Sequence, residues 1–147
     1  MLDKNKLAKV SDFGLSISLK KKTFGLNESL ELNYPSKIRI KWTAPESLHG
    51  KNFSLKSDIW SFSIFLWELF SFGRTPYPRV RTEELKNYLL GGYRMLPPEN
   101  CPNEIFEIMG KCWRLNLEER PNFSYLKNCF SDLLTISSQN KAFVSYI

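Results

Sequence analysis

Hydrophobic positions peak between Ser57 and Phe72, where ten of sixteen residues are large and apolar. They surround the axis instead of keeping to one 3.6-residue stripe, which predicts a helix buried on every side. Ser57 is the predicted N-cap, Asp58 sits where the positive end of the helix dipole favours a carboxylate, and Gly73 is the predicted stop. A membrane span needs ~20 apolar residues without charge. Asp58 and Glu68 break this run, so it reads as the central helix of a globular core and not as a span.

The flanking patterns are simpler. Ile105, Ile108, Met109 and Cys112 recur at i, i+3, i+4, i+7, as one buried helical face does. Phe123, Leu126, Phe130, Leu133 and Leu134 define another such helix. Thr82 is a predicted cap for an acidic first turn, and that helix stops at Gly91-Gly92. Pro45 to Leu48 predicts a short helix ending near Gly50. Leu7 to Ser11 alternates like a strand, and Ile38 to Trp42 reads as extended. From Leu15 to Lys37 no period holds, and so long a loop in a compact domain is usually functional. The reading is a mainly α domain over residues 1–134 with a polar C-terminal tail over 135–147.

Composition narrows the class. With 147 residues, 42% apolar and 14% aromatic, the chain can bury one real core. Cys101, Cys112 and Cys129 are odd in number and lack metal-ligand spacing, which predicts a reducing compartment without disulfides. The net charge of +6 raises nucleic acid as a partner. Its basic residues are dispersed apart from Lys20-Lys21-Lys22, and no nucleic-acid-binding motif accompanies them, so none is expected. The Lys run reads as a solvated loop.

Asp12-Phe13-Gly14 sits at the end of the predicted strand. A carboxylate there can hold a divalent cation, an inward Phe13 can anchor it, and Gly14 lets the backbone turn. The tripeptide alone is weak; its weight comes from Ala44-Pro45-Glu46 downstream across a long loop. That pairing is the metal-binding and activation-segment signature of protein kinases. Lys9 to Leu15, Lys41 to Glu46, Ser57 to Phe62, Trp67-Glu68, Cys112-Trp113 and Arg120-Pro121 together resemble the second half of a protein-tyrosine kinase domain. The Ser71 to Val80 and Gly92 to Met95 stretches are most similar to the non-receptor Csk (C-terminal Src kinase) type, with the Src family second. Ser63 and Arg39 stand where that pattern usually has glycine and proline.

The resemblance implies the helical C-lobe of the kinase α+β fold, with the N-lobe and catalytic loop outside this chain. It implies ATP and Mg²⁺ as cofactors, with Asp12, Phe13 and Gly14 at the nucleotide and Asp12 as metal ligand. It makes Ile38, Arg39, Ile40, Lys41 and Trp42 the wall that receives a substrate tyrosine, and Tyr34 the tyrosine of the activation segment. Glu46 and Arg120 become a buried ion pair, Asp58 a holder of catalytic-loop backbone, and Trp60 and Trp113 structural positions. Protein substrates bearing tyrosine and a cytoplasmic location follow.

No residue qualifies as catalytic base: there is no His-Arg-Asp, and His49, the only histidine, is not followed by one. The expectation is therefore a kinase fragment, inactive alone, in which transfer of the ATP γ-phosphoryl to tyrosine belongs to a longer protein. A truncated lobe acting as a non-catalytic binding module is the alternative. A helical adaptor carrying chance motifs is the third reading.

Overall fold

The computed structural model describes residues 3–16, 30–31, 38–50 and 52–140. Tyr34 and the Lys20-Lys21-Lys22 run lie outside the described residues. Five helices carry the fold: α1 (Pro45–Gly50), α2 (Leu55–Phe70), α3 (Thr82–Leu90), α4 (Asn103–Cys112) and α5 (Phe123–Asn140). Short 3-10 turns occupy Phe13–Leu15, Ile40–Trp42 and Leu117–Glu119. Two short strands, β1 (Leu30–Glu31) and β2 (Asn52–Phe53), pair antiparallel with Leu30 opposite Phe53 and Glu31 opposite Asn52. The mainly α expectation holds.

α2 begins earlier than the sequence predicts. Ser54 is the N-cap, and its hydroxyl oxygen accepts from the backbone N–H groups of Lys56 and Ser57 at 3.2 and 3.3 Å. Ser57 returns the favour, its hydroxyl oxygen accepting the Ser54 N–H at 2.9 Å. This reciprocal box satisfies orphan donors at the helix start and moves Ser57 from cap to first turn. The helix closes as predicted around Gly73, whose N–H donates to the Glu68 carbonyl at 2.8 Å while φ is +80°. Residue Ser63, at a position where a glycine was expected, is fully buried and donates to the Trp60 carbonyl at 2.7 Å.

Trp60, Ile64 and Trp67 of α2 meet Leu85 and Leu89 of α3 and Ile105 and Met109 of α4 in the main core. A second cluster joins Ile59 to Ile108, Cys112 and Leu126, which brings α5 onto the same scaffold. All four periodic positions of α4 are buried. The predicted last helix exists and continues beyond Leu134.

Three local readings are corrected. Leu7 to Ser11 forms no strand; it carries only an isolated bridge at Ala8, and its residues are exposed. Alternation alone cannot make a strand without a partner edge. Ile40–Trp42 is a 3-10 turn and not extended. Thr82 starts α3 instead of capping it; Arg81 is the N-cap and makes no side-chain cap bond.

The central helix is also not buried all round. Phe65 and Leu69 are 51% and 56% exposed, and Phe72 just past its end is 80% exposed. Asp58, Phe62, Phe65 and Leu69 recur at three- and four-residue intervals and so share one face. Phe62 is partly buried there, its ring edge-on to Phe123 and Phe130 at 6.0 Å each. Nothing among the described residues covers the remainder. Exposed apolar area of this kind drives association. The double variant Phe65→Ser, Leu69→Ser is expected to lower the sedimentation-derived association state of the chain without lowering its thermal midpoint. Unchanged association would show that this face is not the sticky one.

Candidate functional site

The Arg39–Glu46 stretch is fastened to the helical scaffold at several points. The Trp42 indole N–H donates to the Glu68 carboxylate at 2.9 Å. Ser61 of α2 donates its hydroxyl to the Trp42 carbonyl at 2.8 Å. The Lys41 ammonium donates to the Tyr77 carbonyl at 3.1 Å, tying the turn to the loop after α2. Arg39 lies 5.9 Å from the Trp42 ring centroid, a cation–π distance. Lys41 and Trp42 are therefore spent on anchorage, while Arg39 and Ile40 remain exposed and Ile38 is partly buried.

The sequence reading gave Glu68 and Ser61 no role. Glu68 carried a signal, a lone carboxylate inside an apolar helix that must find a donor. Ser61 carried none, because a helical serine more often bonds its own backbone. It does that too, at 3.2 Å to the Ser57 carbonyl.

Glu46 and Arg120, 74 residues apart, meet in a two-pronged pair. The Arg120 Nη1 and Nη2 donate to the two Glu46 carboxylate oxygens at 2.7 and 2.9 Å. The Arg120 side chain is 0% exposed and that of Glu46 15%. Further Arg120 donors reach the Lys56 carbonyl at 2.9 Å and the Arg114 carbonyl at 2.7 Å. Trp60 presents its ring 5.0 Å from the guanidinium carbon. Lys56 in turn donates its ammonium to the Arg120 carbonyl. The cation is thus surrounded by acceptors, as a buried charge must be.

Trp60 carries a second cation. The Arg94 guanidinium carbon is also 5.0 Å from that ring. Burial lowers the Arg94 pKa from its ordinary value, with the like charge of Arg120 adding to the effect. Trp113 is buried, its ring edge-on to Phe106 at 6.2 Å.

Asp12 stands apart from these contacts. Its backbone is left-handed, at φ 64° and ψ 62°, and leads into the Phe13–Leu15 turn. Its carboxylate is exposed and makes no hydrogen bond or ion pair with another described residue, so it is free to act as an oxygen ligand. The described residues contain no group of three or more metal-ligating side chains. A single exposed carboxylate such as that of Asp12 can fill one position of a divalent-cation site but cannot make one alone. The expected inward packing of Phe13 is not found: it is 66% exposed, since no described element covers it.

The Asp58 carboxylate, near the start of α2, makes no hydrogen bond or ion pair to another described residue, while its backbone N–H donates to the Ser54 carbonyl at 3.2 Å. Although the residue keeps solvent access, the protein around it desolvates the carboxyl and raises its pKa. The cysteines are free, and burial pushes the Cys101 and Cys112 thiols up to about 11 and about 12, so they are inert at neutral pH.

A helical lobe that clamps an Ala-Pro-Glu segment through a buried arginine defines the C-terminal part of a protein kinase domain. The model for the protein tyrosine and serine/threonine kinase family matches residues 1–130, and the chain belongs to that family. It is 49% identical over 123 residues to tyrosine-protein kinase csk-1 of Caenorhabditis elegans, covering 84% of this chain and 22% of that protein. It is 43% identical over the same length to the megakaryocyte-associated tyrosine-protein kinases of Mus musculus and Rattus norvegicus, covering 22% and 24% of those proteins. The chain therefore spans less than a quarter of the length of these curated relatives. No helix among the described residues is long and apolar enough to cross a membrane.

Arg120→Ala leaves the Glu46 carboxylate without its partner in a largely buried position. A stability loss of about 3–5 kcal/mol is expected from chemical denaturation. Equal stability of Arg120→Ala and the parent chain would overturn the importance of the pair.

Proposed function

We propose that this chain is the substrate-receiving lobe of a non-receptor, Csk-type tyrosine kinase, which transfers the ATP γ-phosphoryl to tyrosine side chains of proteins. The observation that carries the reading is the Glu46–Arg120 clamp on the Ala-Pro-Glu segment, found in a chain of this family. Magnesium-bound ATP supplies the phosphoryl group and the cation that neutralises its charge. Asp12 holds that cation through its free carboxylate, with Gly14 permitting the turn that follows. The exposed Arg39 and Ile40 form the wall met by the substrate chain, and Tyr34 belongs to the same activation segment.

The uncovered face of α2 supports the same reading. Phe65 and Leu69 offer apolar area, and at the N-terminal end of that face Asp58 offers an acceptor with no described partner. Such a face suits the rest of a kinase domain, with Asp58 accepting backbone N–H groups of the catalytic loop. A cytoplasmic location goes with the non-receptor class.

One observation favours a second reading. The 147 residues contain no His-Arg-Asp and thus no catalytic base. Acting by itself, the chain is then a non-catalytic binding module.

The test is a chimera in which residues 1–134 replace the matching part of the Caenorhabditis elegans relative. The chimera is expected to phosphorylate a poly(Glu,Tyr) substrate with Mg-ATP, and Asp12→Ala within it to abolish transfer. The isolated chain is expected to show none. A folded but inactive chimera would sink the catalytic reading and leave the binding module.

A further inference from the structure

A cavity of about 480 Å³ opens between the end of α3 and the end of α4, with Arg94, Trp113 and Arg114 in its lining. Its size falls in the range of ligand sites. Three features of it are not accounted for by packing.

The first is the charge of Arg94. Its Nε and Nη2 donate to the Trp113 carbonyl at 2.9 and 2.8 Å, and its Nη1 donates to the Leu89 and Tyr93 carbonyls at 2.9 and 2.7 Å. A guanidinium has five N–H donors. One Nη2 donor therefore has no partner among the described residues. No described carboxylate pairs with Arg94, and the like charge of Arg120 acts on it. A half-buried cation without a counter-charge is costly, and an anion beside it recovers that cost.

The second feature is the balance of charge at the rim. Arg114 is exposed there. Glu119 is the acidic residue of the lining, and its carboxylate already accepts the Asn116 side-chain amide at 3.2 Å. Two arginines against one engaged carboxylate leave the cavity positive.

The third is Gly110. It lies within α4 and lines the cavity, and a Cβ built on it meets nothing within 4 Å. A helical glycine costs roughly 1 kcal/mol relative to alanine. Neither a close approach nor a positive φ requires glycine at this position. What it leaves is open space beside Leu115, which is 42% exposed.

We propose that this groove binds an acidic peptide segment of a protein partner. A Glu or Asp carboxylate of the segment sits against Arg94 and Arg114, and a neighbouring apolar side chain lies over Leu115 in the space left at Gly110. The site does not depend on phosphoryl transfer and serves equally in an enzyme or a binding module.

The probe is a fluorescein-labelled peptide, Glu-Glu-Leu-Glu-Glu-Leu-Glu-Glu, titrated with the 147-residue chain by fluorescence anisotropy. Its counterpart with every Glu replaced by Gln is the control. Saturable binding of the Glu peptide that weakens with salt is expected, with the Gln peptide binding at least about tenfold more weakly. Gly110→Leu fills the groove on a helix position that tolerates it, and Arg114→Glu reverses the rim charge on an exposed site. Each is expected to weaken binding about tenfold while leaving the thermal unfolding transition in place. Equal binding of the two peptides, no saturable binding, or binding that neither variant weakens would overturn the proposal. If Gly110→Leu fails to fold, Arg114→Glu alone decides.

Discussion

The Ala-Pro-Glu segment is fixed to the helical scaffold by one buried cation. Arg120 is 2% exposed, and a guanidinium in that position is tolerable only if acceptors surround it. Glu46, two backbone carbonyls and the face of Trp60 provide them. Satisfying one charge therefore constrains three separate stretches of chain: α1, the first turns of α2 and the loop after α4. A hydrophobic contact of the same volume could stabilise as well, and buried pairs are often no better than apolar packing. It could not impose the direction that two parallel N–H···O bonds impose on the Ala-Pro-Glu backbone.

α2 works as a scaffold because its polar residues are placed where its neighbours need them. Glu68 and Ser61 receive the Trp42 indole and carbonyl, so the helix that forms the core also positions the segment outside it. Trp60 joins both tasks, being fully buried and flanked by two guanidinium groups. Both cations lie within cation–π distance of its ring, which partly offsets the cost of bringing two like charges to one apolar body. Its indole N–H has no partner among the described residues, as is also true of Trp113 and the Tyr77 hydroxyl. Burial raises the Tyr77 pKa, so that hydroxyl stays neutral. Each of these three groups carries a cost of order 1–3 kcal/mol when left unbonded. The apolar burial of the two tryptophans and the tyrosine is what offsets it.

The parts legible in the sequence were those that depend on local pattern or on paired charges. Ile105, Ile108, Met109 and Cys112 announce α4 because burial imposes the helical period on the residue types. Glu46 and Arg120 could be matched only through the family pattern, since nothing local says that residues so far apart will meet. Ser57 misled because a serine before an apolar run has the chemistry of a cap; Ser54 has it too, and the reciprocal bond between them decides. Leu7 to Ser11 misled because alternation states which residues could face a core and not whether a partner strand exists. Arg94 was unreadable for a further reason. Its partners are backbone carbonyls, and carbonyls have no sequence identity.

The apolar face of α2 shows how composition and burial can part company. Residues around the whole circumference of the helix are apolar, yet among the described residues only the side toward α3, α4 and α5 is covered. The covered side is closed by large side chains in mutual contact, and its polar groups are largely satisfied within the lobe. The open side ends in Asp58, whose carboxyl is partly desolvated and lacks a described partner. A helix evolved only to hold this lobe together would place lysine or glutamate at Phe65 and Leu69, where exposure makes charge costless. Aromatic and aliphatic residues at those positions, aligned with an unengaged acceptor, have the composition of an internal face. α2 thus has an apolar face packed by α3, α4 and α5 and an opposite apolar face that no described residue covers.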